Sequence, residues 1–219
     1  MTRSRRASPS AQTSTLLSIC PVACGIPTAA PGSPNRHVPS PLGLPWTDRV
    51  EEAVRRIARQ TGESAFFSVK RGNETVCLLR EDGNFPIRSH VLYEGVRFPL
   101  GAASAGLAIL AHLSERERET YLAERTLTHA YGAEHAPGPL RERIAETRRS
   151  GFALNPGQIV EGIWGMASAV FDGSGDPRWA LSINGIEARF PEARRAAIVN
   201  ALSAQWARFV AGTVLDART

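Results

Sequence analysis

Residues 97–113 read RFPLGAASAGLAILAHL, with Pro99, Gly101, Ala102, Ala103, Ser104, Ala105 and Gly106 standing ahead of an apolar run. A helix opening here presents unpaired N–H groups and partial positive charge, which suit a carboxylate or a phosphate. Such a contact is worth about 0.3–1 kcal/mol when exposed and up to ~2 kcal/mol when partly buried. Small residues at Ala103, Ser104 and Ala105 let a ligand approach that backbone. They suit tight packing against a sheet equally well. A second cluster bears on the choice. The stretch ALSING places Ala180, Ser182 and Asn184 on one side of a strand and Leu181 and Ile183 on the other. Two polar side chains on one face of a core strand need partners. They bond each other, or they line a small polar pocket that Asn155 and the glycines of EGIWG, Gly165 among them, would close.

Other chemistries find little support. No G-x-S-x-G, H-E-x-x-H, G-x-G-x-x-G or G-K-[ST] pattern occurs. Ser104 lacks the glycine two residues earlier that a nucleophile elbow requires, and neither it nor Cys77 has a recognisable base or oxyanion partner. His129 and His135, six apart in a polar stretch, read as part of a solvated loop rather than a ligand pair. Cys20, Cys24 and Cys77 give no disulfide framework and no metal-ligand spacing. The charges of LSERERETYLAERTL form a solvated helix face. No catalytic residue, metal or cofactor is expected.

The elements that must position the two clusters follow from turn and capping signals. Eight of the fifteen prolines precede residue 46, so residues 1–45 read as a disordered Pro/Ser-rich leader and not as an export signal. That front end holds Arg3, Arg5, Arg6 and Arg36 without an acid, which accounts for four of the five net positive charges and leaves the remainder nearly neutral. With 42% apolar residues and no run of about 18, a soluble core in the cytoplasm is expected and a membrane span is not. The spacing predicts a helix from Thr47, carrying Val50, Val54, Ile57 and Ala58 and ended by Gly62. SAFFSVKRG and ETVCLLRED form a hairpin. Another extended segment turns at Glu94-Gly95. The small-residue helix runs from about Ala102 to His112, Ser114 and Glu117 make a capping box, and PLRERIAETRRSG is a helix closed by Gly151. GFALNPGQIVEG is a strand leading into a loop, followed by two apolar strands around DGSGDPR. A last helix from Pro191 carries Ile198, Leu202, Trp206 and Phe209. This order describes an α+β domain with an antiparallel sheet.

The combination of PLGAASAG, RRSGFA and VFDGSGDPRWALSI, in this order and spacing, resembles the effector-binding domain of IclR-family transcriptional regulators. The resemblance covers residues 46–219. It implies a GAF-like fold, a central antiparallel sheet flanked by helices gathered on one side, that senses a small organic acid. The acid's carboxylate would meet backbone N–H groups at Ser104 and Ala105, with Asn155, Gly165, Ser182 and Asn184 as the pocket wall. Family members commonly have a His after PL and a Lys after the helix Gly, where this chain has Gly101 and Leu107. Asn155 replaces a frequent acid and Gly165 a small polar or reactive residue, so a roomier, less charged pocket is expected. The resemblance also implies a homodimer, a tetramer or a hetero-oligomer with a full-length paralogue. Family members carry a winged helix-turn-helix ahead of this domain, which residues 1–46 are too short and proline-rich to form. DNA would therefore be reached only through partners or from a start further upstream. A degenerate partner that binds no ligand is the alternative reading.

Overall fold

The computed structural model describes residues 47–87 and 90–216. The expected leader of residues 1–45, with Cys20 and Cys24, and the side chains of Thr47, Trp206 and Phe209 lie outside the described residues. Helix α1 spans Thr47–Thr61 and buries Val50, Val54, Ile57 and Ala58; Gly62, at φ +72°, stops it. Strands β1 (Ser64–Arg71) and β2 (Glu74–Glu81) form the expected hairpin around Gly72, and β3 (Arg97–Pro99) follows the Glu94-Gly95 turn. Next come α2 (Ser104–His112), α3 (Glu115–Glu124), the single turn α4 (Thr128–Tyr131) and α5 (Pro137–Ser150). The Ser114–Glu117 capping box that opens α3 is present in both directions, and Gly151 closes α5 at φ +80°. Strands β4 (Ala153–Pro156), β5 (Ile163–Phe171) and β6 (Pro177–Ile186) precede the long α6 (Glu192–Asp216).

The six strands form one antiparallel sheet in the order β3-β2-β1-β6-β5-β4. Successive side chains of a strand point to opposite faces, and both faces are covered. Ala167, Ala169 and Ala180 pack with α2, α3 and α5, whereas Met166, Val170, Leu181 and Ile183 pack with α1 and α6. Helices expected on one side are therefore found on both, because β5 and β6 are apolar at odd and even positions alike.

Near the opening of β1, Glu63 is 2% exposed and takes hydrogen bonds from Arg189 and from Arg194 Nη1 at 2.9 Å. Arg194 also reaches the Thr61 carbonyl. This buried ion group fastens the α1–β1 junction to the start of α6.

Candidate functional site

The start of α2 is held by its surroundings rather than by a cap. Gly101, at φ +84°, adopts the left-handed conformation that turns the chain into the helix. Ala103 occupies the N-cap in an extended conformation without any side-chain cap. The first-turn N–H groups of Ser104 and Ala105 thus lack a side-chain acceptor, the arrangement that suits an anion. Gly106 serves a different purpose. A β-carbon there would lie 3.1 Å from Leu100 Cα and from the Pro99 carbonyl oxygen, so the helix leans on its own approach segment. The run of small residues therefore has two settings: close packing at Gly106 and the lining of a cavity at Ala103–Ala105.

Three side chains from other elements fix this approach. Tyr121 of α3 donates its hydroxyl to the Leu100 carbonyl. The Ala102 carbonyl accepts from Asn155 Nδ2 at 2.9 Å and lies 3.1 Å from His135 Nε2. His135 is 1% exposed, in contrast to the expected solvated loop, whereas His129 is exposed. Its other ring nitrogen lies 2.8 Å from the Tyr131 carbonyl, and a neutral imidazole can donate to only one of the two. Burial holds its pKa below the usual histidine value, and the nearby Arg143 guanidinium pushes the same way; the hydrogen bonds to Ala102 and Tyr131 oppose them.

The sheet supplies the floor. Asn155 pairs with Gly165 and Gly165 with Asn184, so these three form one cross-strand row over β4, β5 and β6. Ser182 stands one row over, on the same face. All six expected residues (Ser104, Ala105, Asn155, Gly165, Ser182 and Asn184) line a single cavity. Gly165 gives it depth. A β-carbon at this position would come within 2.8 Å of Asn184 Oδ1 and 2.9 Å of Ser104 Oγ. Ser182 Oγ is buried without a hydrogen-bond partner. Asn155 Oδ1 accepts from the Gln158 N–H at 3.0 Å, so one amide joins the helix start to the loop after β4.

The sequence did not reveal the apolar part of the lining, to which Leu92, Phe98, Ile159, Val160 and Ile163 belong; Trp164 also borders the cavity, but its ring turns to the other face of the sheet, against Phe190 and Arg195. Together with Val91 these residues narrow the cavity to about 40 Å³. That volume holds a few waters at about 10–15 Å³ each. No Asp, Glu, Lys, Arg or His is among its lining residues. Cys77 lies outside the lining, and burial pushes its thiol up to about 12, which leaves it protonated and unreactive. Among the described residues, no helix is long and apolar enough to cross a membrane.

Residues 46–211 match the family model described as the bacterial transcriptional regulator IclR C-terminal domain. The chain is 36% identical over 151 residues to the transcriptional repressor IclR of Escherichia coli, covering 66% of this chain and 54% of that protein. It is 27% identical over 156 residues to the HTH-type transcriptional regulator BhcR of Paracoccus denitrificans, covering 71% and 56%. The chain thus spans about half the length of these curated relatives. The solved Thermotoga maritima IclR superposes with a TM-score of 0.70 at 24% identity, covering 76% of this chain and 68% of that one. The Agobacterium tumefaciens repressor BlcR gives 0.64 at 21%, covering 76% and 66%. Both solved structures support the fold.

Proposed function

Because the chain belongs to the IclR family of bacterial transcriptional regulators through their C-terminal domain, we propose that residues 46–219 are an effector-sensing domain. The cavity at the start of α2 receives the carboxylate of a small organic acid. The N–H groups of Ser104 and Ala105 take the anion, and Asn155, Ser182 and Asn184 complete its hydrogen bonds beside Gly165. Ser182 Oγ carries this reading: it is a buried hydroxyl without a partner, in a cavity next to an uncapped helix start. Leaving such a group unsatisfied costs about 1–3 kcal/mol, which a bound carboxylate would recover. Occupancy then alters assembly with DNA-binding partners, as a homo-oligomer or with a full-length paralogue, in the cytoplasm. The relatives are transcriptional regulators rather than enzymes, and the cavity lining offers no general base to Ser104. No catalytic role is assigned to this chain.

A thermal-shift screen of small organic acids, glyoxylate, pyruvate and hydroxybenzoates among them, tests the reading. An acid at about a hundred times its Kd stabilises by about 2.7 kcal/mol, a shift of several degrees. The double variant Ser182→Val with Asn184→Leu removes both polar groups together and should fold without responding. A folded wild-type chain that responds to no acid would instead support the partner that binds no ligand.

A further inference from the structure

We infer that this pocket selects monocarboxylic acids with a compact apolar body, and that Ile159 and Val160 set the preference. The inference rests on the carboxylate reading above and adds the chemistry of the remainder of the ligand. The polar lining side chains, Ser104, Asn155, Ser182 and Asn184, belong to the helix start and the sheet floor, whereas the lining residues that the neighbouring connections contribute, Val91, Leu92, Ile159 and Val160, are all apolar. A ligand whose carboxylate takes the polar side presents its other end to carbon. A second carboxylate would be desolvated there without a cation or a donor, and a hydroxyl would lose its water partners for none in return. Diacids and polar oxo acids are thereby disfavoured, and an apolar body gains by being removed from water.

The volume of about 40 Å³ requires one wall to yield. Val160 is 42% exposed, one of the few large apolar side chains left so open among the described residues. It lies between Gly157 at φ +74° and Gly162 at φ +76°, on a short turn that closes with the Ile163 N–H on the Val160 carbonyl. Displacing Val160 disturbs little packing, and a body beneath it would cover the side chain that is now exposed. The base of the turn is meanwhile held by Asn155 through the Gln158 N–H, so the movable wall adjoins a residue of the polar floor.

Titration calorimetry on the full chain with 3-methylbutanoate, glyoxylate and malonate tests this inference. The expected order is 3-methylbutanoate tighter than glyoxylate by about tenfold, the worth of roughly two buried methylene-sized groups, with malonate weakest. Val160→Thr keeps shape and changes polarity at a half-exposed site, so the fold should survive. It should narrow the gap about threefold by weakening 3-methylbutanoate while leaving glyoxylate unchanged, and Ile159→Thr added to it should narrow the gap further. Glyoxylate or malonate binding as tightly as 3-methylbutanoate overturns the inference and leaves the carboxylate reading intact. So does a ratio that neither variant moves. Binding of 3-methylbutanamide as tight as that of the acid overturns the carboxylate itself, and with it both readings.

Discussion

Gly165 on β5 faces Ser104 at the first turn of α2 so closely that a β-carbon at position 165 would stand 2.9 Å from the Ser104 hydroxyl oxygen. The atoms in its way, Ser104 Oγ and Asn184 Oδ1, are ends of side chains. Gly165→Ala should therefore fold while occupying the space proposed for the ligand. Loss of at least ~1.4 kcal/mol of acid binding, a factor of ten, with a melting temperature within a few degrees of wild type, is the result expected from paired calorimetry and thermal denaturation.

Ser182→Ala should raise stability and lower affinity together. Its hydroxyl is buried without a partner in the ligand-free chain, so removing it relieves a desolvation cost of about 1–3 kcal/mol. For a domain of this size, 1 kcal/mol corresponds to roughly 2–4 °C of melting temperature. A variant that melts lower, or that responds to acids as wild type does, would show that the hydroxyl has a structural partner and no ligand role.

Asn155 makes two hydrogen bonds of opposite sense, donating to the Ala102 carbonyl and accepting from the Gln158 N–H. Asn155→Ala should cost about 1–3 kcal/mol of stability and weaken acid binding, because both the helix start and the turn carrying Val160 lose their hold. Asn155→Asp should be worse than Ala at neutral pH: a carboxylate keeps the acceptor but faces the Ala102 oxygen with no proton. Denaturant midpoints of the three proteins at pH 7 and pH 5 would show whether the deficit of the Asp variant shrinks as it protonates.

His135 makes stability depend on pH in a defined direction. Burial lowers its pKa in the folded chain, so the unfolded chain binds the proton more tightly and stability falls as the pH drops below the unfolded value of about 6.5. Melting temperature should decline from pH 7.5 to pH 5.5, and His135→Gln, which retains a donor for the Ala102 carbonyl, should flatten the decline. An identical pH profile in the variant would assign the dependence to other groups.

The elements came through in the sequence wherever a local rule governs them. The capping box at Ser114, the glycine stop at Gly151 and the hairpin turn around residues 172–176 depend on residues within a few positions of each other. The polar half of the pocket was legible for a similar reason, since strand alternation alone sets Ser182 and Asn184 on one face. The apolar half was not. Leu92, Phe98 and Ile159 meet only after β3, α2 and β4 have been placed, and nothing in a short apolar run tells a cavity wall from ordinary core. His135 was misjudged because its burial comes from a partner 33 residues away in sequence, the Ala102 carbonyl. The sequence signal for its burial is weak: one aromatic, Tyr131, four residues before it in an otherwise polar stretch.

Strand β6 spells two texts in alternate letters. Ala180, Ser182 and Asn184 turn to the α2 side, and Leu181 and Ile183 to the side of α1 and α6. Adding or deleting one residue within this stretch would exchange them, sending the hydroxyl and the amide under α1 and α6 and the two large aliphatics into the cavity. The strand can thus accept a changed letter at the cost of one contact, but a changed count scrambles both sides at once. In divergent relatives, indels in the hairpin β5–β6 should be confined to the turn at residues 172–176, outside the paired register.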